Sequence, residues 1–205
     1  RGCRDRLIHF HSYPILSHTS QDKVAELAEL LTRRQLETRL YMVAFGDIQR
    51  KVVLTVPPPL RVVVYRRLML RIAERIGRAS GATALVTGEA VGQVASQTLD
   101  NMAVIDSVTL MPVLRPLVGM DKEEIVREAR QLGTYEVSIV PDEDCCTLFT
   151  PKHPATRAKA YQVEAAEAAL SVDALVEEAA TTAERRDLRF PAAVAPQEVR
   201  SGTAG

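Results

Sequence analysis

Leu85-Val-Thr-Gly-Glu-Ala-Val-Gly-Gln-Val-Ala-Ser-Gln-Thr98 is the most informative stretch of this sequence. It begins as an apolar strand, breaks at Gly88 and continues into a polar helix start. A glycine there lets the backbone approach a ligand closely, and a helix N-terminus favours an anion such as a phosphate. The alternative is an ordinary strand-to-helix turn. Packing alone poorly explains so many hydrogen-bonding side chains at one helix start: Glu89, Gln93, Ser96 and Gln97. The stretch therefore favours a nucleotide pocket.

Strand and helix patterns alternate on both sides of this stretch. Apolar runs predict strands, and apolar residues at helical spacing predict helices. The predicted strands are residues 7–12, 39–45, 84–87, 113–117 and 135–140, and the predicted helices are residues 20–34, 48–56, 61–78, 94–105 and 121–132. Such alternation indicates an α/β fold with a doubly wound parallel sheet, in which ligands lie beyond the carboxyl ends of the strands. His9-Phe10, Phe45-Gly46 and Thr87-Gly88 occupy those ends.

The chain changes character after residue 154. Ala-rich and Glu-rich helices are predicted up to about residue 185, and a Pro/Ala/Gly/Ser tail without fixed structure up to residue 205. We therefore expect a main domain over residues 1–170 and a helical extension with its tail over residues 171–205.

Composition narrows the function classes. The 205 residues include 26 Lys plus Arg and 26 Asp plus Glu, so the net charge is zero. A net charge of zero argues against this chain alone binding a polyanion, but not against its binding a small nucleotide. No apolar run approaches the roughly 18–20 residues that span a bilayer, so no membrane association is expected. Three cysteines suggest free thiols in a reducing cytosol. The start without methionine predicts that the chain is cut from a longer protein.

Two adjacent thiols lie in the segment Asp142-Glu-Asp-Cys-Cys-Thr-Leu-Phe-Thr-Pro-Lys-His-Pro154. Cys145 and Cys146 have three interpretations: buried core thiols, metal ligands or a nucleophile. Metal binding is disfavoured because Cys-x-x-Cys spacing is absent, and core thiols would be expected in an apolar run. A nucleophile needs help from Lys152, His153 or a helix dipole, because the acidic neighbours disfavour a thiolate.

Other polar residues at the predicted strand ends have two interpretations each. As an isolated feature, His9 is more simply a structural histidine at a sheet edge than a ligand. The helix over residues 61–78 has a basic face, which is usually solvated. Arg66 and Arg67 are near its N-terminal part, and either could point toward phosphates.

Three segments together resemble the tRNA 4-thiouridine synthetases, the sulfurtransferases of thiouridine and thiamine-thiazole synthesis. They are residues 87–99, Val113-Leu-Arg-Pro-Leu-Val-Gly-Met-Asp-Lys-Glu-Glu-Ile125 and Glu143-Asp-Cys-Cys-Thr-Leu-Phe-Thr-Pro151. The similarity extends from about residue 7 to about residue 167, and the combined motifs are highly specific. It implies a domain of the adenine-nucleotide α-hydrolase, or ATP-pyrophosphatase, type.

The resemblance also implies a reaction and a site. ATP, with Mg²⁺, adenylates a uridine oxygen of tRNA, and a persulfide sulfur then replaces it. The family's ATP contacts map onto His9, Phe10, Arg66, Gly88 and Gln97, and its catalytic cysteine maps onto Cys145 rather than Cys146. The implied partners are tRNA, bound through a domain absent from this chain, and a cysteine desulfurase or other persulfide donor. A homodimer and a cytoplasmic location are further expectations.

The chain departs from the family pattern in four places. The phosphate loop Ser-Gly-Gly-x-Asp-Ser, with the first strand, is missing upstream of Leu7. The RNA-binding domain before it and a rhodanese-like domain after Glu184 are also missing, and residues 56–60 differ from the expected sequence. We therefore expect a fragment with little activity of its own. The alternatives are a degenerate nucleotide-binding remnant and another pyrophosphatase such as an NAD or GMP synthetase, which would leave the paired cysteines unexplained.

Overall fold

The computed structural model describes residues 5–13, 15, 17–141, 149, 151 and 153–191. Its strands are β1 (Arg6–His11), β2 (Glu37–Ala44), β3 (Leu85–Val86), β4 (Val113–Leu114) and β5 (Glu184–Arg189). Its α-helices are α1 (Thr19–Gln35), α2 (Gly46–Thr55), α3 (Arg61–Ala79), α4 (Leu99–Asp106), α5 (Lys122–Leu132), α6 (Tyr135–Ser138), α7 (Ala160–Glu167) and α8 (Val172–Thr181). The predicted α/β class, with helices around parallel strands, is confirmed.

Local sequence signals set several boundaries. Asp121 accepts from the backbone of Glu124, whose side chain accepts from the backbone of Asp121, and this capping box starts α5. Gly133 ends the same helix in the left-handed conformation with φ of 76°, which glycine adopts without strain. Both features match the sequence-based prediction.

The strands form two hydrogen-bonded groups. In the first, β2 lies between β1, which is parallel to it, and β5, which is antiparallel. In the second, β3 pairs with β4 in parallel. Among the described residues no strand joins the two groups, and the edges of β1 and β3 face a common cavity. The parallel strands are thus unpaired on the sides of β1 and β3 that face this cavity.

The hydrophobic core lies between β2 and helices α2, α3 and α8. Phe45, Val64, Leu68 and Ile72 are fully buried there. Leu175 and Ala179 of α8 belong to the same core, so the segment after residue 170 packs against the fold that it follows. The division of the chain at residue 170 stays a prediction.

Three predicted elements differ from the structure. Residues 135–140 were predicted as a strand but contain the short helix α6, because Thr134 ends the preceding turn and no neighbouring strand pairs with them in the described chain. The helix predicted over residues 94–105 begins only at Leu99, after a 3₁₀ turn over Ala95–Gln97. The strand predicted over residues 113–117 ends at Leu114, one residue before Arg115-Pro116.

The C-terminal region contains an unpredicted strand. Residues up to about 185 were predicted to be helical, yet β5 pairs with β2 from Glu37↔Arg189 to Met42↔Glu184. Its sequence Glu-Arg-Arg-Asp-Leu-Arg is mostly charged, which is unusual for a buried strand but common at a sheet edge. Within the described ranges, none of the helices has the length and apolar character that crossing a membrane requires.

Candidate nucleotide site

A cavity of about 670 Å³ lies between β1, β3 and α3. Its volume is in the range of small-molecule sites. Four of the five residues predicted to contact a nucleotide line it: His9, Phe10, Arg66 and Gly88. They come from the carboxyl end of β1, from α3 and from the residues that follow β3. The structure therefore brings together residues that are up to about eighty positions apart in the sequence.

Aromatic packing fixes the wall that carries Phe10. The rings of Phe10 and Phe45 meet edge to face with centroids 5.5 Å apart, and Phe45 meets Tyr65 in the same way at 6.1 Å. Phe45 and Tyr65 are essentially buried. Because Tyr65 directly precedes Arg66 on α3, this aromatic chain also fixes the first part of α3 relative to β1.

The structure shows which of Arg66 and Arg67 faces the cavity. Arg67 is 3 % exposed, and its guanidinium forms a bidentate ion pair with the Glu167 carboxylate at 2.8 and 2.9 Å. Arg66 lines the cavity instead, and its buried Nε has no hydrogen-bond partner among the described residues. A buried unpaired donor is costly, so a site that supplies an acceptor would stabilise it. Arg66 is the arginine available to a phosphate.

The rest of the basic face of α3 is occupied by carboxylates. Arg71 also binds Glu167, and Arg75 forms a bidentate pair with Glu177. Glu167 lies at the end of α7 and Glu177 on α8. The basic face, which was expected to be solvated, thus holds the C-terminal helices against α3.

Gly88 directly follows the short strand β3. A Cβ at this position would meet only the Leu117 Cδ1 atom, at 3.9 Å, which is an ordinary contact. Packing within the described chain therefore does not require glycine at this position. The space beside it belongs to the cavity, so a side chain here would take volume from any ligand.

Gln97 lies on the loop that Gly88 begins, outside the residues that line the cavity. Gly92, with φ of 81°, donates its backbone N–H to the Gln97 carbonyl at 2.9 Å and closes this loop. The Gln97 Oε1 atom is buried and has no hydrogen-bond partner in the described part of the chain. A ligand donor would satisfy it.

Asn101 joins the loop to the segment after the paired cysteines. Its side chain is fully buried, donates to the carbonyls of Ala95 and Ala155 at 2.8 Å each, and accepts from the Ala158 backbone at 2.9 Å. Thr98 Oγ1 adds a bond to the Thr156 carbonyl at 2.7 Å. The residues after position 154 are therefore fixed beside the Gln97 loop.

The predicted catalytic residue, Cys145, lies outside the described residues, as does Cys146. Among the residues that are described, no group of three or more His, Cys, Asp and Glu side chains is arranged to hold a metal ion.

The sequence analysis did not single out Arg115. Its guanidinium donates to Glu89 at 2.8 Å and to both oxygens of Asp106 at 2.9 and 2.6 Å. Thr87 Oγ1 donates to the same Glu89 oxygen at 2.9 Å. The available signal was a charged residue inside the apolar strand predicted over residues 113–117.

Known proteins share this fold and much of this sequence. A structure described as the crystal structure of a 4-thiouridine synthetase–RNA complex with bound ATP superimposes with a TM-score of 0.83 and 42% identity, covering 89% of this chain and 48% of that one. Probable tRNA sulfurtransferases of Thermus thermophilus and Halothermothrix orenii are 49% and 47% identical over 97% and 87% of this chain. The chain covers 49% and 46% of them, so it spans about half the length of these curated relatives.

The fold and the sequence similarity agree on the family of this chain. The open parallel sheet, with its cavity at the strand ends, is an α/β fold of the ATP-pyrophosphatase type. Residues 1–172 match the family described as thiamine biosynthesis protein (ThiI). The chain belongs to this family.

Proposed function

We propose that this chain is part of an enzyme that uses ATP to transfer sulfur to a tRNA uridine, giving 4-thiouridine. ATP adenylates the uridine oxygen, and sulfur from a persulfide displaces AMP. Relatives named probable tRNA sulfurtransferases and the ATP-bound 4-thiouridine synthetase support this assignment. Supply of sulfur for the thiazole of thiamine is a second use of the same chemistry, supported by the family description.

One observation from the structure carries the ATP part of the proposal. Arg66 lines a cavity at the ends of parallel strands with a buried Nε that has no acceptor in the described chain. A phosphate oxygen is the acceptor that an arginine at such an edge fits best, because the guanidinium combines charge with directed donors. His9, Phe10 and Gly88 would contact the nucleoside from β1 and β3, and Gln97 Oε1 would accept from a donor of the nucleotide.

The open edges of β1 and β3 support a second part of the proposal. Each strand pairs on one side and faces the cavity on the other. A further strand between them would satisfy both sets of backbone groups. We propose that the phosphate loop implied by the resemblance follows this strand, so that its backbone N–H groups reach the cavity.

Mg²⁺ is part of the proposal as a companion of ATP. Magnesium is usually held by one or two carboxylates together with substrate phosphates and water. The described residues contain no group of three or more His, Cys, Asp and Glu side chains arranged to hold a metal ion, so the ATP phosphates and water would supply most ligands of Mg²⁺.

Cys145 is the proposed sulfur-carrying residue, with Cys146 as the less favoured choice. A cysteine desulfurase or another persulfide donor would load Cys145. The terminal persulfide sulfur would then attack the adenylated carbon, and AMP would leave with the former uridine oxygen. A second thiol must afterwards break the S–S linkage, forming a disulfide with Cys145 and leaving the terminal sulfur on the uridine.

The remaining partners are proposals of the same kind. tRNA would bind through a domain other than the one described here, which agrees with the zero net charge of this chain. A homodimer and a cytoplasmic location complete the proposal, the latter because the thiol must stay reduced.

The function is tested with the full-length protein and three variants. Adenylation is followed by ATP–pyrophosphate exchange in the presence of tRNA, and thiolation by the sulfur content of the isolated uridine. We expect Cys145→Ala to abolish thiolation and leave adenylation largely intact, because the thiol acts only in the second step. Gln97→Leu should lower both activities, because it removes a nucleotide contact.

Cys146→Ala is the matched control and should retain both activities. Loss of thiolation in Cys146→Ala instead of Cys145→Ala would move the catalytic assignment by one residue. A wild-type protein that binds ATP but neither adenylates nor thiolates tRNA would favour the nucleotide-binding remnant.

A further inference from the structure

We propose that Arg115 is a positioning residue for residues 87–106, a segment made of the loop after β3 and helix α4. This segment is called the nucleotide loop, and Arg115 holds its two ends in the geometry that ATP binding requires. The inference rests on the ATP site of the proposed function. It adds a residue that does not belong to the set of contacts implied by the resemblance.

Arg115 reaches both ends of the nucleotide loop. Glu89, beside Gly88, accepts a hydrogen bond from Arg115 Nε at 2.8 Å. Asp106 is the last residue of α4, and its two carboxylate oxygens accept from the two terminal nitrogens of Arg115 at 2.9 and 2.6 Å. Gln97 lies between these two anchors in the sequence, and Gly88 directly precedes the first of them. One guanidinium therefore sets the distance between the ends of the loop that carries both.

Burial makes this network hard to replace. The side chains of Arg115 and Glu89 are 11 % and 5 % exposed. Without the guanidinium, Glu89 would be a buried carboxylate with only the Thr87 hydroxyl as a described side-chain donor. An uncompensated buried charge is strongly unfavourable, so we expect the Gly88 end of the loop to rearrange.

A lysine could not form the same set of hydrogen bonds as Arg115. All three guanidinium nitrogens are used, in one plane, on two carboxylates that come from different elements. An ammonium group is a point charge and cannot span both acceptors in this way. The hydrogen bond to Asp106, opposed by burial and supported by Glu89, raises the pKa of Arg115, so its charge is retained.

The network is in contact with the cavity. Thr87, Gly88, Glu89 and Arg115 all line it, as Arg66 does. The two carboxylates of Glu89 and Asp106 more than offset the single positive charge of Arg115. The contribution of Arg115 to ATP binding is therefore to place Gly88 and Gln97 rather than to attract phosphate. Displacement of a binding group by about 1 Å can cost about 100-fold in activity.

The test compares Arg115→Met and Arg115→Lys with wild type in the full-length protein. The dissociation constant of ATP is measured by calorimetry, with the melting temperature without ATP and the KM and kcat of adenylation. We expect Arg115→Met to weaken ATP binding and raise KM by about 10- to 100-fold, with a smaller change in kcat. Arg115→Lys keeps the charge and should fold even if Arg115→Met does not, and it should give an intermediate loss.

Arg71→Met is the matched control, because Arg71 also forms a partly buried bidentate pair with a carboxylate, that of Glu167, away from the cavity. It should lower the melting temperature and leave ATP affinity unchanged. The proposal is overturned if both Arg115 variants bind ATP like wild type, or if Arg71→Met weakens ATP binding as much as they do. Failure of the wild type to bind ATP would instead overturn the proposed function, together with this inference.

Discussion

At the scale of single residues, Glu167 decides how the C-terminal helices meet α3. It is 6 % exposed and accepts two hydrogen bonds each from Arg67 and Arg71, at 2.8 to 2.9 Å. Arg67 also donates to the Val104 carbonyl at 2.6 Å and thereby contacts α4. Three helices are thus fixed by one carboxylate and its partners.

Glu167→Gln should destabilise the 205-residue chain by about 3–5 kcal/mol at neutral pH, because it leaves the buried Arg67 without its charge partner. Burial raises the pKa of Glu167, but the hydrogen bonds and charges of Arg71 and Arg67 outweigh burial and lower it overall. A carboxyl with a lowered folded-state pKa stabilises the fold above its unfolded pKa and loses this effect as pH falls through the folded value. The measurement is the free energy of unfolding in urea as a function of pH.

The difference between wild type and Glu167→Gln should therefore shrink below about pH 4. Glu177→Gln is the control, because Glu177 forms a similar bidentate pair with Arg75 at the solvent-exposed surface. It should change stability little at any pH. A difference for Glu167→Gln that grows in acid would contradict the assigned direction of the pKa shift.

At the scale of elements, helix α4 joins two loops through its first turn. Thr98 is its N-cap and accepts from the Asn101 backbone at 3.2 Å. The buried Asn101 side chain contacts the loop before the helix and the residues after the cysteine segment. Stability of α4 is thereby tied to the relative placement of both segments.

Asn101→Ala should lower the free energy of unfolding by about 2–3 kcal/mol, because the partly buried carbonyls of Ala95 and Ala155 lose their donor. Urea unfolding of the 205-residue chain measures this loss. Asp121→Ala is the comparison: it removes an exposed capping box from α5 and should cost about 1 kcal/mol. Equal losses for the two variants would contradict the role assigned to Asn101.

At the scale of the whole molecule, the two strand groups are separated beside the cavity. Val86 and Leu114 are register partners on β3 and β4, and their side chains are 65 % and 52 % exposed. Parallel strands are normally covered on both faces. The open edges and this exposed apolar pair agree with the proposed further strand between β1 and β3.

The isolated 205-residue chain should show little or no ATP turnover, because its sequence does not contain the Ser-Gly-Gly-x-Asp-Ser phosphate loop whose backbone donors would hold ATP. Pyrophosphate release with ATP and tRNA measures this, with the full-length protein as the positive control. Robust ATP-dependent thiolation by the 205 residues alone would contradict this prediction.

The sequence predicted the elements whose signals are local. The amphipathic periodicity of α1 and α3, the capping box of α5 and the apolar runs of β1 and β2 depend on neighbouring residues and agree with the structure. The short β3 and β4 were placed correctly but predicted too long. Strand β5 was missed because its charged sequence carries no strand signal, and only pairing with β2 makes it a strand.

The same distinction holds for the candidate site. Local patterns made His9, Phe10, Arg66, Gly88, Gln97 and Cys145 candidates, and the family resemblance then implied their roles. Only the tertiary structure showed that Arg67 is paired with Glu167 while Arg66 lines the cavity. It also showed that Arg115 connects Glu89 with Asp106. Which arginine faces the cavity and which is paired depends on the rotation of the helix and on carboxylates as far as about 100 residues away. No local pattern records these contacts, because they arise only when the helices pack.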